Sequence, residues 1–328
     1  MGEFDLIARV RARAERGGQD REGGVILGIG DDAALLRGRA GWDLVVATDT
    51  LNEGVHFPVA TAADHIGWKA LAVNLSDLAA MGAEPAWCTL SLSLPQPDAE
   101  WMDAFLDGFL GLAAEAGIRL VGGDTTRGPL SLTVTAMGQV EAGAALRRDG
   151  ARVGDDVWVT GTLGDAAAGL ALHAAADRPA GFAELIARLQ RPTPRLEVGR
   201  RLAGLAHACI DVSDGLLADV GHVCRASGVG ARIEAAWLPT SSALRACVPQ
   251  AATRMGLQAT GGDDYELCFT APIAVREQVA AIADFGSTPV TRIGQVVAEE
   301  GVRLYDADGG VLELPRMGYE HFGGAASD

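Results

Sequence analysis

Asn74-Leu-Ser-Asp-Leu-Ala-Ala-Met-Gly-Ala83 places an acid, Asp77, in the middle of an apolar run. The stretch from Ala63 to Met81 has the length and spacing of a long helix. Asp77 is therefore expected on an apolar helical face, where an unpaired carboxylate costs stability. Acids of the same kind recur in short polar segments bordering apolar runs. These are Gly30-Asp31-Asp32, Thr48-Asp49-Thr50, Gly122-Gly123-Asp124-Thr125-Thr126-Arg127, Asp211-Val-Ser-Asp214-Gly215 and Gly261-Gly262-Asp263-Asp264-Tyr265-Glu266. Two like charges about 4 Å apart repel by roughly 4 kcal/mol at an effective dielectric near 20. A fold that gathers four of these carboxylates needs cations, and Asp and Thr oxygens without nearby Cys or His pairs suit magnesium.

Around that helix the pattern alternates. Residues 3–16 are helical in period, and Leu44-Val-Val-Ala-Thr48 reads as a short buried strand with a functional loop at its end. Trp87 to Leu94 alternates as a strand, and Trp101 to Ala116 is a second helix. Arg119-Leu-Val121 is a strand running into a Gly122-Gly123 turn, and Leu130 to Val140 is another strand. The turn-rich stretch Arg148 to Asp155 marks a domain boundary, giving domains 1–148 and 149–328. Beyond it, Asp156 to Gly161 begins a new strand and Gly164 to Gly169 a helix, repeating the recipe of strand, acidic glycine-rich turn and helix. The expected fold is α/β (α+β) in two domains. The tail from Gly323 to Asp328 is expected to fray.

Composition narrows the function. A net charge of −16 argues against nucleic acid or a polybasic membrane surface as partner, but not against a phosphate-bearing ligand neutralised by metal ions. Lys69 is the single lysine of the chain, and no Walker A segment or protein-kinase signature is present. Any nucleotide must bind by another route. Five scattered cysteines without a Cys-x-x-Cys pair fit a reducing compartment. No apolar stretch is long enough to span a bilayer, and the charged N-terminus is unlike a signal peptide, so a cytoplasmic protein is expected.

Each motif also has a plainer reading. Asp31-Asp32 is equally a turn with an N-cap for Ala33-Ala-Leu-Leu36. Asp77 is equally a buried hydrogen-bonding group, and Gly122-Gly123-Asp124 an ordinary turn, although glycine there would let backbone approach a ligand. His56 reads as a loop histidine, Tyr319 as an anchor docking the C-terminus, and Cys88 beside Trp87 as packing. His65, His173, His207 and His222 show no ligand-like spacing. Five acidic segments of one plan in one chain are harder to dismiss than any alone.

Taken in order, Gly28-Ile-Gly-Asp-Asp-Ala-Ala34, Thr48-Asp-Thr50, His56-Phe57, Asn74 to Ala83, Gly122-Gly-Asp-Thr-Thr-Arg-Gly128, Asp211-Val-Ser-Asp-Gly-Leu216, Gly261-Gly-Asp-Asp-Tyr-Glu-Leu267 and Gly318-Tyr-Glu-His-Phe322 closely resemble the thiamine-monophosphate kinase family. The likeness runs from Gly2-Glu-Phe4 to Phe322. That family belongs to the superfamily of aminoimidazole ribonucleotide synthetase and selenophosphate synthetase, whose ATP-binding fold is unrelated to P-loop enzymes. The resemblance implies two domains, each a mixed sheet packed with helices. The first would bind ATP and magnesium and form a homodimer through its sheet; the second would complete the ATP and substrate sites. It implies ATP-dependent phosphorylation of thiamine monophosphate to thiamine diphosphate. By similarity, Asp32, Thr48, Asp49, Asp77, Asp124, Asp211 and Asp214 would hold several Mg2+ ions. Gly123, Asp124, Arg148 and Ser213 would contact ATP as co-substrate, and His56, Asp263 and Tyr319 would line the thiamine monophosphate site.

Two positions depart from the family pattern. Ala47 replaces a hydroxyl residue that joins the metal shell in many members, and Asp263 stands where relatives often have Glu. The competing readings are another synthetase of the superfamily and a non-catalytic protein that binds metal or nucleotide. A selenophosphate synthetase would carry a reactive N-terminal Cys, which this sequence lacks.

Overall fold

The structure, a computed structural model, describes residues 3–15, 24–173, 178–286 and 288–321. The tail 323–328 and Phe322 lie outside the described residues. The chain divides into two compact units, Met1–Leu78 with Ala83–Ala145, and Ala79–Gly82 with Leu146–Asp328. Both are mixed α/β layers, as the sequence implied.

The N-terminal unit contains α1 (Glu3–Glu15), a two-stranded ribbon of β1 (Val25–Leu27) and β2 (Leu35–Leu36), then β3 (Trp42–Asn52), α2 (Ala63–Ala80), β4 (Glu84–Leu94), α3 (Ala99–Ala116), β5 (Arg119–Arg127) and β6 (Ser131–Glu141). Its main sheet has the order β3-β6-β4-β5, with β4 and β5 parallel and the other pairs antiparallel. Local chemistry sets the ends of α3. Asp98 accepts from the N–H groups of Glu100 and Trp101 at 2.9 and 3.0 Å, and Gly117 closes the helix at φ 70°. Its apolar stripe, including Met102, Phe105, Phe109 and Leu112, is buried. Glycines at a helix crossing bring α3 against α2: a Cβ at Gly108 would lie 1.8 Å from the Asp64 carbonyl oxygen. α2 is covered on nearly every side, with Leu71, Leu75 and Leu78 at 0% exposure, which is why its sequence reads as apolar all round.

The C-terminal unit contains β7 (Asp156–Thr160), α4 (Asp165–His173), α5 (Phe182–Gln190), α6 (Leu196–Leu202), β8 (Ala208–Asp211), α7 (Leu216–Ser227), β9 (Gly230–Glu234), α8 (Ser242–Cys247), α9 (Ala251–Thr260), β10 (Leu267–Ala271), α10 (Arg276–Gly286), β11 (Val290–Val297), β12 (Gly301–Tyr305) and β13 (Val311–Leu312). The sheet order is β13-β12-β9-β11-β7-β10-β8, antiparallel except for β12 beside β9. Val157, Val159, Ile210, Cys268 and Ile293 from its centre pack against α7 residues such as Leu216 and Val220. Among the polar groups enclosed with it, Glu266 is fully buried and accepts from Arg188, Arg195 and the Thr160 hydroxyl at 2.5–2.6 Å. Burial pulls the Arg195 guanidinium down, but Glu266 outweighs it and holds Arg195 above its ordinary value.

Three segments differ from the sequence expectation. Leu35-Leu36 pairs with β1 as a strand, so Asp31-Asp32 caps no helix; instead the Asp31 carboxylate accepts the Asp32 N–H at 2.8 Å. β3 runs on to Asn52, so Asp49 lies inside a strand rather than in a loop after it. β5 likewise continues through Gly122-Gly123 to Arg127, because the glycines stay paired with Thr89 and Leu90 of β4. Apolar patterning stopped short of both strand ends because polar residues occupy their exposed ends.

Removing the buried carboxylate in Glu266→Ala strands two guanidinium groups that are mostly enclosed. The expected loss is about 3–5 kcal/mol of unfolding free energy, read from urea denaturation; a loss below about 1 kcal/mol would contradict this account of the C-terminal unit.

Candidate active site

In the N-terminal unit Asp49 and Asp77 are placed by one helix–sheet contact. The Asn74 side chain is fully buried on α2; its Nδ2 donates to the Ala70 carbonyl at 3.1 Å, and its Oδ1 accepts the backbone N–H of Asp49 at 3.1 Å. Asp77 lies three residues further along α2, on the same face as Asn74. The Asn74 contact therefore fixes the helical turn bearing Asp77 over β3 at Asp49. Asp77 is half-buried rather than enclosed. Ala47 is two residues before Asp49 on the same strand face, so a methyl group stands where the family pattern has a hydroxyl. Thr48 is on the opposite face, exposed, and its hydroxyl donates to Thr135 Oγ1 at 2.9 Å.

The remaining N-terminal candidates are further apart. Asp49 pairs with Val134, Val134 with Leu90, and Leu90 with Gly123, so Asp49 and Gly123 share one row across four strands. Three strand spacings, about 14 Å along the sheet, separate β3 from Gly123 and Asp124. Gly123 has φ 149°, and a Cβ there would lie 1.8 Å from the Leu90 carbonyl oxygen. Asp124 and Asp32 are exposed. His56 is half-buried, and its Nδ1 accepts the Asn52 N–H at 2.9 Å, which puts the proton of the neutral ring on Nε2. Lys69, buried on α2, donates to the His56 carbonyl at 2.9 Å and pins that loop; its singular place in the composition gave no sign of this.

The C-terminal unit draws its candidates together more tightly. Asp211 ends β8, and the chain continues extended beside the 261–266 loop: Val212 N–H donates to the Glu266 carbonyl at 2.7 Å and Tyr265 N–H to the Val212 carbonyl at 2.8 Å. Asp263 N–H donates to the Ser213 carbonyl and Tyr319 N–H to the Asp214 carbonyl, each at 2.9 Å. Ser213, Asp214, Asp263 and Tyr319 are thus joined through adjacent peptide groups. Asp263 and Tyr265 carry φ 68° and 50°, a backbone conformation that costs a side-chain-bearing residue of order 1–3 kcal/mol. The Tyr265 hydroxyl donates to Asp263 Oδ1 at 3.1 Å and helps hold that conformation. Arg148 is exposed, with its carbonyl accepting from the Ser227 hydroxyl at 3.0 Å.

Asp219, on the first turn of α7, was not singled out in the sequence. It is 3% exposed, and one oxygen accepts from the N–H groups of Ser213, Asp214 and Gly215. Burial, then the charges of Asp211 and Asp214, push its carboxyl up to about 8 against the lowering effect of those N–H groups. Single ligand atoms of Asp214, Asp219 and His222 lie within 4.8 Å of one another. An acid in a helix's first turn ordinarily signals only the helix dipole, so its reach back to residue 213 had no distinct sequence signal. Beside this loop runs a groove of about 1620 Å³, lined by Asp214, His222, Arg225, Arg316, Tyr319 and His321 among others. The Tyr319 ring is 50% exposed there, with the His321 ring edge-on at 5.0 Å.

Two family models match the chain: AIR synthase related protein, N-terminal domain, over residues 30–140, and AIR synthase related protein, C-terminal domain, over residues 152–307. A thiamine-monophosphate kinase of Escherichia coli O157:H7 is 48% identical over 328 residues, covering 98% of each chain. This chain belongs to the thiamine-monophosphate kinase family. The crystal structure of a thiamine-monophosphate kinase from Stenotrophomonas maltophilia K279a is 55% identical, with a TM-score of 0.85 over 93% of this chain and 96% of that one. The structure of AaThiL complexed with AMPPCP and TMP is 33% identical, with a TM-score of 0.77 over 98% and 97% of the two chains.

Within a thiamine-monophosphate kinase, a glycine that touches a neighbouring strand's backbone is a sharp point to probe. Gly123→Ala forces Leu90 and β5 apart. The expected result is roughly a tenfold or greater loss of affinity for a non-hydrolysable ATP analogue, measured by calorimetry. Unchanged affinity in a folded variant would contradict the expectation that Gly123 contacts ATP.

Proposed function

We propose that this thiamine-monophosphate kinase transfers the γ-phosphoryl group of ATP to thiamine monophosphate directly and in line, with its aspartates acting as magnesium holders rather than nucleophiles. A terminal phosphate oxygen of thiamine monophosphate attacks the γ-phosphorus, the bond from that phosphorus to the β–γ bridging oxygen breaks, and ADP leaves with the electron pair. Phosphate monoesters lose their second proton near pH 6, so the attacking oxygen is already ionised and needs no strong general base. The obstacle is the approach of a dianion to a polyanion. Magnesium, when bound, offsets that repulsion and holds the reacting oxygens in line.

The donor chemistry fits a hard cation. Asp32, Asp49, Asp77 and Asp124 in the N-terminal unit, and Asp211 and Asp214 in the C-terminal unit, offer carboxylate oxygens. Asp49 and Asp124 stand at opposite edges of one sheet and so serve different ions within a chain. Thr48 directs its hydroxyl to the other face, so we assign it a ligand role through its carbonyl. At Ala47 only a carbonyl or a water is left to take the place of the family's hydroxyl. Gly123, Asp124, Arg148 and Ser213 contact ATP. His56 offers an Nε2–H to the substrate, Asp263 a negative charge, and Tyr319 an aromatic face to the thiazolium cation, an attraction of roughly 0.5–2 kcal/mol. The observation that carries this reading is the Asn74–Asp49 hydrogen bond, which fixes the Asp77 turn of α2 over β3.

The chain works as a homodimer through the open face of its N-terminal sheet, a role supported by Leu44 and Val46, apolar yet 57% and 56% exposed on β3. Light scattering that finds only monomer at micromolar concentration would contradict this. No described helix is long and apolar enough to cross a membrane, and the five cysteines are free, which supports a cytoplasmic setting.

Asp77→Asn keeps the side chain's shape and removes its charge. With magnesium present, turnover of ATP and thiamine monophosphate to ADP and thiamine diphosphate is expected to fall about 100- to 1000-fold while the fold survives. Near-normal turnover with unchanged magnesium dependence would refute the role of Asp77. ATP binding with no thiamine diphosphate formed by the unaltered protein would refute the reaction itself.

A further inference from the structure

α7 begins without a side-chain cap. Its N-cap residue is Gly215, which has no side chain to accept the free N–H groups of the first turn. An acceptor from within the helix serves the residues that lead into it rather than the first turn. Asp219 turns back, and its Oδ2 receives the N–H groups of Ser213, Asp214 and Gly215 at 3.1, 3.2 and 3.1 Å. Three consecutive N–H groups converge on one atom only if the chain curls around it. The carbonyl groups of the same turn are then presented to other partners: Ser213 to Asp263, and Asp214 to Tyr319.

We infer that Asp219 is a positioning residue for phosphoryl transfer, setting the Ser213–Gly215 turn so that the Ser213 hydroxyl and Asp214 carboxylate are held for ATP and metal. The inference rests on the roles proposed above for Ser213 and Asp214. Asp219 itself is 3% exposed, whereas Ser213 and Asp214 are only half-buried. A buried carboxylate thus fixes the residues that reach outward. Its place is also costly, since it is enclosed beside Asp211 and Asp214. A plain helix cap does not require a second acid so close to two others, because an N-cap Ser, Thr or Asn would serve.

The test compares Asp219→Ala, Asp219→Asn and Asp214→Asn in the full chain, well below the unfolding temperature. Half-saturating Mg2+, KM for ATP and kcat are measured for each. In Asp219→Ala, half-saturating Mg2+ and KM for ATP are expected to rise at least about tenfold, as when an outer partner of a metal ligand is lost. Asp219→Asn keeps an oxygen that can accept from the turn, and should return both to within about threefold of the unaltered protein. A folded Asp219→Ala protein with lowered thermal stability but unchanged Mg2+ and ATP saturation would make Asp219 a cap and nothing more. An Asn variant no better than Ala would also overturn the inference. Should the Ala variant not fold, amide exchange in the unaltered protein decides: the Ser213, Asp214 and Gly215 amides must be protected, and exchange as fast as in an open loop would overturn the inference. If Asp214→Asn disturbs Mg2+ saturation and Asp219→Ala does not, only Asp219 loses its role; if neither does, the metal reading of this loop falls with it.

Discussion

Asp214 and Asp219 hold their carboxylates within 4.8 Å of each other, with Asp211 close enough to raise Asp219 further. At that separation two full charges repel by roughly 3 kcal/mol at an effective dielectric near 20. Burial and that repulsion, only partly offset by the N–H groups, hold the Asp219 carboxyl up at about 8. Several segments of the C-terminal unit meet at this turn. The 261–266 loop with its left-handed Asp263 and Tyr265, the segment that presents Tyr319, and the start of α7 are all tied to the same five residues, 211–215. The N-terminal unit meets a similar constraint differently: a neutral amide, Asn74, fixes the acid-bearing turn without adding charge.

These contacts assign separate tasks to rigid and exposed parts. Strands and helices with buried cores fix where a carboxylate starts, and half-exposed side chains do the reaching. Asp77, Ser213, Asp214 and Asp263 are all half-buried, while Asn74, which ties α2 to Asp49, and Asp219, which takes the Ser213 and Asp214 N–H groups, are enclosed. A charged ligand can then enter without reorganising the core. The direct transfer proposed above, with the substrate's own phosphate as nucleophile, works by positioning and electrostatics and calls for that arrangement.

The N-terminal helices were legible from their apolar spacing: α2 was expected over Ala63–Met81 and forms over Ala63–Ala80. The family and its reaction were legible because the acidic motifs occur in a fixed order. Strand limits were not. Asp49 and the Gly122-Gly123 pair resemble loop residues, and only pairing with β6 and β4 keeps them in strands. Asp219 and Lys69 were missed for another reason. Each acts on backbone distant in sequence or behind it in the chain, Lys69 on the His56 carbonyl and Asp219 on residue 213, and such contacts leave no periodic trace.

In the mechanism proposed above, these aspartates work by holding metal against phosphate. Manganese, substituted for magnesium in crystals grown with AMPPCP and thiamine monophosphate, scatters anomalously and reports each ion directly. Peaks at about 2.2 Å from carboxylate oxygens of Asp77 and of Asp214 are the predicted result. A fully liganded crystal with no metal peak at either residue would contradict it.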